Sequence, residues 1–285
     1  VALSPGAPVV AAAGMDGTVH LASYSFGNYG LPSHYRTYIP DGREGSALKH
    51  EKYAKTLAWS PSSDVASSVL CSASADGSVR ITRVWTQAPP AGDNDAPFVC
   101  IEPITSFFLQ GAVETAVFVD GGSRIAAYVR GKAVLSYLSL EPPYDVEEIT
   151  LNGERGLKGD DFCSFAVLDL RLSPCGEFLA LATDVKRIII MKTGSHEIVR
   201  DLYGHLTDSY GNPKVSWSRS GMYVYGTTQD SNDIVTWDVA SGEIVQKMNG
   251  HTGQVRDLQS SYGSDTVASV SYDKSIRIWL AECSS

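Results

Sequence analysis

The 285 residues are 43% apolar and 19% charged, with 26 Gly and 13 Pro, a composition that folds around a sizeable core and excludes disordered or collagen-like chains. Acidic residues outnumber basic ones 32 to 23, for a net charge of -9, which argues against a broad electrostatic grip on nucleic acid or anionic lipid. No apolar run reaches the roughly 18 to 20 residues that cross a bilayer, and the first residues lack the charged-then-apolar layout of a signal peptide.

Taken in chain order, the sequence is a succession of short runs rich in β-branched and aromatic residues, broken by Gly, Pro, Asp and Ser, with no sustained helical period. The clearest stretch is a three-strand meander: Val255 to Leu258, Thr266 to Ser271, a tight turn at Tyr272-Asp273-Lys274, then Ser275 to Leu280. The same order occurs at Ala54 to Ser60, Ser68 to Ser74, the turn Ala75-Asp76-Gly77, and Ser78 to Val84. Turn anchors at Leu3-Ser4-Pro5, Trp59-Ser60-Pro61, Leu172-Ser173-Pro174 and Trp217-Ser218-Arg219 mark further copies, and a weaker one falls at Phe118 to Gly122. The spacing predicts an all-β chain of six repeats, at about 1–40, 41–110, 111–151, 152–203, 204–249 and 250–285. Their second and third strands are expected at Val9 to Ala13 with Thr18 to Ala22, Ser68 to Ser74 with Ser78 to Val84, and Arg124 to Val129 with Ala133 to Leu138. The later pairs are Phe178 to Thr183 with Arg187 to Met191, Tyr223 to Thr228 with Ile234 to Val239, and Thr266 to Ser271 with Ser275 to Leu280. A fourth strand separates the repeats, as at Ile198 to Tyr203 and Ile244 to Met248.

The chain resembles the WD-repeat family of β-propellers, whose four-stranded blades carry Gly-His near the start and Trp-Asp near the end. The resemblance rests on Gly204-His205 with Trp237-Asp238 and on Gly250-His251 with Trp279; the third repeat has neither signature and is identified by position. It implies one propeller domain over 1–285, six-bladed or part of a seven-bladed ring. It also implies a buried hydrogen-bonded network inside a blade, made of the His, a Ser or Thr ending the second strand, the turn Asp and the Trp. The matching residues are His251, Ser271, Asp273 and Trp279 in the sixth repeat, and His205, Thr228, Asp230 and Trp237 in the fifth. The second repeat offers His50, Ser74 and Asp76, with Thr82 where the Trp would stand.

A Ser, a His and an Asp in one repeat could also be a nucleophile triad, but the three recur together at repeat spacing, whereas a catalytic site is needed once. The structural reading therefore prevails, no enzyme is expected, and His20, His34 and His196 are left without metal-ligand spacing. The five Cys (Cys71, Cys100, Cys163, Cys175 and Cys283) form no Cys-x-x-Cys pair and the chain has no Asn-x-Ser/Thr sequon. The expectation is an intracellular protein, cytoplasmic or nuclear, without cofactor. Cys71 is read as a core residue. Val1 is not a Met, so the stretch is expected to belong to a longer chain, and both its first and last repeats are expected to present unpaired edges.

Function is expected in the loops. Residues 25–49, 86–97 and 141–165 read as insertions; the last holds Glu141, Asp145, Glu147, Glu148, Glu154, Asp160 and Asp161 against Arg155 and Lys158, a loop suited to solvent or to a basic partner. The resemblance implies that partners bind the face formed by the turn between the second and third strands and by the entry to the first. That face holds Tyr53 and Lys55, Gln229, and Gln254, Arg256 and Tyr272. The expected function is a non-catalytic scaffold for other proteins, with a propeller hydrolase or a lipid- or RNA-binding propeller as the alternatives.

Overall fold

A computed structural model describes the chain except residues 27–31, 39–47, 62–66, 90–95, 153–163, 205–210, 229–230, 262, 265 and 281–285. Side chains of residues 26 and 32–35 also lie outside the described set. The described residues form six antiparallel sheets, five of four strands and one of three, with one 3-10 turn at Asp120–Gly122 and no α-helix. No helix is long and apolar enough to cross a membrane.

Sheet 1 runs β1 (Ala2–Leu3), β2 (Val9–Ala13), β3 (Val19–Phe26) and β4 (Pro32–Tyr38). Sheet 2 follows with β5 (Ala54–Trp59), β6 (Ser67–Ser74), β7 (Ser78–Gln87) and β8 (Phe98–Phe108). Sheet 3 holds β9 (Val113–Val119), β10 (Arg124–Val129), β11 (Val134–Ser139) and β12 (Val146–Thr150). Sheet 4 has β13 (Val167–Leu172), β14 (Phe178–Thr183), β15 (Arg187–Lys192) and β16 (Ile198–Tyr203). Sheet 5 has β17 (Val215–Trp217), β18 (Tyr223–Thr227), β19 (Ile234–Asp238) and β20 (Ile244–Met248). Sheet 6 has β21 (Val255–Ser260), β22 (Thr266–Ser271) and β23 (Ile276–Leu280). Each is a meander in which consecutive strands pair, because a tight turn returns the chain antiparallel to the strand just left. The fold is thus the all-β succession of blades that the repeats imply.

The stretches read as insertions need correction. Residues 32–38 form β4, paired with β3 through Ala22 with Thr37 and Ser23 with Arg36, and residues 146–150 form β12. Residues 86–97 are shortened from both sides, since β7 continues to Gln87 and β8 begins at Phe98. Of these, β12 is a sheet-edge strand with Val146, Glu147 and Glu148 all exposed, so it shows no alternation of polar and apolar residues.

The chain divides into two compact units, Val1–Arg130 with Ser136–Glu147, and Gly131–Leu135 with Glu148–Ser285. In the first, Val19 and Leu21 of sheet 1 pack with Ala54 and Leu70 of sheet 2. Cys71, Val79 and Ile81 of sheet 2 in turn pack with Val113, Ala116 and Phe118 of sheet 3. In the second, Ile188 and Ile190 of sheet 4 pack with Val215, Trp217 and Trp237 of sheet 5. Tyr225 and Ile234 of sheet 5 then pack with Val255 and Leu258 of sheet 6. Burial of these side chains contributes on the order of 1.5 to 3 kcal/mol each, the main force joining neighbouring sheets.

Candidate functional site

The tight turn between β22 and β23 begins the sixth-repeat network. Asp273 accepts from the Ser275 hydroxyl at 2.6 Å and from the main-chain N–H of Ser275 and Thr252 at 2.8 and 3.0 Å. His251 Nδ1 lies 2.8 Å from Asp273 Oδ2, His251 Nε2 lies 2.8 Å from Ser269 Oγ, and Trp279 Nε1 donates to the same Ser269 oxygen at 2.8 Å. Since the ionised carboxylate can only accept, Nδ1–H donates to Asp273, and in that neutral tautomer Nε2 accepts the Ser269 proton while the Ser269 oxygen accepts from the indole. The bond from Ser275, with those from His251 and the main chain, holds the Asp273 carboxyl well below the usual carboxylate range.

Sheet 2 repeats the arrangement with one serine inserted. His50 Nε2 is 2.8 Å from Ser72 Oγ, its Nδ1 is 2.6 Å from Ser78 Oγ, and the Ser78 hydroxyl donates to Asp76 Oδ1 at 2.6 Å. Burial drives the His50 pKa down to about 4, although Asp76, 3.8 Å away, pulls the other way. Burial works against the Asp76 charge, yet the bonds from Ser78 and from the Glu51 N–H outweigh it and lower its pKa.

In both sheets the hydroxyl that meets the His stands two residues before the expected one. Ser271 instead donates to the Gly253 carbonyl at 2.7 Å and accepts from the Asp273 N–H, and Ser74 bonds the carbonyls of Lys52 and Tyr53. Those two serines pin the turn to the chain entering the first strand. In sheet 5 the Trp237 indole donates to the Tyr203 carbonyl at 2.7 Å, and Thr228 bonds Ser231 and the Asp233 carbonyl. His205 and Asp230 lie outside the described residues, as does Gln229.

The pinned turns carry the expected face. In the second unit Tyr272 is 65% exposed, the Arg256 guanidinium sits 4.8 Å from its ring centre, and its N–H bonds the Gln254 carbonyl. In the first unit Tyr53 is also exposed. Lys55 is placed differently from the expectation of an open rim residue: it is largely buried, with its ammonium 2.5 Å from Glu114 Oε1 and 5.7 Å from the Tyr53 ring. The buried Glu114 also meets Arg130 at 3.4 Å. Sequence reasoning missed this pair because its members lie 59 positions apart on neighbouring sheets. Of the acidic stretch 141–165, Glu147 pairs with Arg124 at 3.1 Å, while Glu154, Asp160 and Asp161 lie outside the described residues.

Among the described residues no three His, Cys, Asp or Glu are grouped to hold a metal ion. Cys71 is buried among apolar side chains, and burial pushes its thiol up to about 12. A maleimide reagent at pH 8, followed by peptide mass mapping, is expected to leave Cys71 unmodified in the native protein and to label it in denaturant, because the thiolate is the reactive form. Native labelling would contradict the placement.

Two stretches, residues 45–82 and 242–279, match the family described as WD domain, G-beta repeat. They contain the two turn networks just described, the one in sheet 2 with Thr82 in place of the Trp. Both stretches are therefore WD repeats, and the successive four-stranded sheets are blades of the WD-repeat β-propeller kind. The chain is 25% identical over 244 residues to the guanine nucleotide-binding protein subunit beta of Saccharomyces cerevisiae, covering 83% of this chain and 48% of that protein. It is 32% identical over 122 residues to the chromatin assembly factor 1 subunit FAS2 homolog of Oryza sativa subsp. japonica, covering 41% and 23%. With the pre-mRNA-splicing factor cwf17 of Schizosaccharomyces pombe it shares 28% over 118 residues, covering 40% and 33%. The chain thus spans less than half the length of each of these relatives.

Proposed function

We propose that the chain is a non-catalytic scaffold that holds other proteins on its turn faces, as one domain of a longer intracellular polypeptide acting in the cytoplasm or nucleus. The observation that carries the reading is the Tyr272–Arg256 pair: a large exposed aromatic under a guanidinium, on a turn fixed by Asp273, Ser271 and the Gln254 carbonyl. Tyr and Arg are the residues that dominate binding energy at interfaces, and a turn already fixed loses little freedom on binding. Two of the relatives are named as subunits of larger assemblies, which supports the same reading. Tyr53 offers a comparable exposed aromatic on the first unit.

The test is affinity purification of the full natural protein, wild type against Tyr272→Ala with Arg256→Ala, with quantitative mass spectrometry. Loss of a hot-spot pair costs about 2 kcal/mol or more, so at least one co-purifying protein is expected to fall by about 30-fold. The melting temperature should change little, because Tyr272 is exposed and Arg256 lies outside the buried core. Recovery of the same proteins in the same amounts would remove this face from the proposal. A hydrolase screen on the same preparation separates the enzyme reading.

A further inference from the structure

The turn face of the first unit carries a group of charges that joins sheet 2 to sheet 3. Tyr53, at the entry to β5, is 40% exposed. Two residues on, Lys55 places its ammonium 5.7 Å from the Tyr53 ring centre and 2.5 Å from Glu114 Oε1, near the start of β9. The Arg130 guanidinium, in the turn that follows β10, reaches the same Oε1 through Nη1 at 3.4 Å. The pairing of β9 with β10 shifts register here, Thr115 lying opposite Tyr128 and Val113 opposite Val129. Glu114 is thus the extra residue of a bulge, and a bulge re-aims the side chain it carries. The main chain holds both ends of the group: Thr56 Oγ1 donates to the Glu114 carbonyl at 3.2 Å, and the Arg130 N–H donates to the Ala112 carbonyl at 2.9 Å.

One carboxylate therefore serves two cations, and it serves them unequally. The Glu114 and Lys55 side chains are 8% and 16% exposed, and theirs is the short, enclosed contact; Arg130 is 57% exposed and meets an oxygen already occupied, at the outer limit of a hydrogen bond. The Arg130 Nε and Nη2 groups have no partner among the described residues. The other exposed charges beside Tyr53, Glu51 and Lys52, are opposite in sign and cancel, while Asp76 is enclosed and its oxygens are taken by Ser78 and the Glu51 N–H. An open guanidinium beside a carboxylate already committed to a lysine gains most from a second carboxylate, which supplies the two-pronged pairing that Glu114 does not. We propose that Arg130 and Tyr53 bind an acidic segment of a partner protein, one Asp or Glu side chain of it meeting the open edge of the Arg130 guanidinium and a neighbouring apolar side chain lying on the Tyr53 ring. Glu114 and Lys55 are the positioning residues, since they fix the guanidinium and the ring relative to each other. The inference rests on the scaffold reading and adds to it the chemistry of the bound segment. Nucleic acid and anionic membrane fit less well, because one open guanidinium on a chain of net charge -9 offers no row of cations to a row of phosphates.

The experiment uses the full natural protein, affinity-purified from cell extract as wild type, Tyr53→Ala, Arg130→Glu and Arg130→Lys, with quantitative mass spectrometry of what co-purifies. At least one protein is expected to fall about tenfold or more with Tyr53→Ala and with Arg130→Glu, and by no more than about threefold with Arg130→Lys. The segment of that protein protected from hydrogen exchange in the complex is expected to contain Asp or Glu. Replacing those acids by Arg should weaken binding to wild type and restore binding to Arg130→Glu by at least about fivefold, a crossover that a merely structural role for Arg130 does not produce. Should Arg130→Glu fail to fold, replacing the partner's acids by their amides is expected to weaken binding to wild type about tenfold and to Arg130→Ala by less than about twofold. A protected segment without Asp or Glu, or the absence of these couplings, overturns the proposal. So does loss of the partner on phosphatase treatment, which assigns the site to a phosphate, or on nuclease treatment, which assigns it to nucleic acid. Partners lost with Tyr272→Ala and Arg256→Ala but kept by Tyr53→Ala and Arg130→Glu overturn it and leave the scaffold reading standing; no partner responding to any of these changes overturns both.

Discussion

Trp237→Ala is expected to lower the melting temperature by about 10 °C, from a loss of about 3 to 5 kcal/mol at about 2 to 4 °C per kcal/mol for a domain of this size. Trp237 is the largest fully buried side chain among the described residues, and it shares one buried cluster with Ala180, Ala182 and Ile190 of sheet 4 and Val224 of its own sheet. The neighbouring strand is adapted to it: a Cβ on Gly226 would stand 2.9 Å from the Trp237 ring and 2.9 Å from Ile188. A close-packed interior relaxes only partly into vacated volume, so a cavity remains and its cost is added to the lost burial. The substitution also leaves the Tyr203 carbonyl without its indole donor. Trp237→Phe separates the two effects, since it keeps most of the apolar burial and removes the N–H, and should cost about 1 to 3 kcal/mol. Thermal unfolding followed by circular dichroism checks both variants. An alanine variant that melts within 2 °C of wild type, as roughly expected for a surface change, would show that sheets 4 and 5 do not close on this ring.

Stability is expected to fall as the pH is lowered from 6.5 to 4, and His50 is the residue responsible. Its pKa is about 4 in the folded protein, against 6.5 for an ordinary histidine. Between those values the unfolded chain binds a proton that the folded one refuses, so stability is complete above pH 6.5, declines through the window and levels off below 4. The difference corresponds to about 3 kcal/mol. The cause is geometric: both ring nitrogens are already committed, Nδ1–H to Ser78 and the Nε2 lone pair to the Ser72 hydroxyl, so a second proton breaks a bond in a place without water. Asp76, whose pKa is also lowered, adds a further loss only below the ordinary aspartate range, as its own proton is taken up. Urea denaturation at a series of pH values measures the slope. His50→Gln should be less stable at pH 7.5 and nearly flat between pH 6.5 and 4; a variant that keeps the wild-type slope would place the titrating group elsewhere.

The parts of the fold that could be read from the amino acids are those that repeat. Turns such as Asp76-Gly77-Ser78 and Asp273-Lys274-Ser275 recur with a strand on either side, and the second and third strands are found within a few residues of where the spacing puts them. Fourth strands such as Val146–Thr150 were concealed, because an exposed edge strand can be acidic on both faces and so loses its period of two. The turn network was legible in its His, Asp and Trp and misplaced in its Ser. Ser269 and Ser271 lie on one face of β22, as Ser72 and Ser74 lie on one face of β6, and alternation alone cannot say which is level with the imidazole.

The sequence by itself therefore determined an all-β chain of six repeats, because strand alternation and turn chemistry act over a few neighbouring residues. It also singled out His251 and Asp273, which bond directly, and His50 and Asp76, which are joined through Ser78. Tertiary structure decided everything that depends on one repeat meeting another. It drew Lys55 away from the open rim to a buried Glu114, left Tyr272 free beneath Arg256, and exposed Ile276 and Ile278 where the matching Val79 and Ile81 are covered. Aliphatic residues at matching repeat positions acquire different burial, and so different roles, because burial is set by the neighbour and not by the strand that carries them.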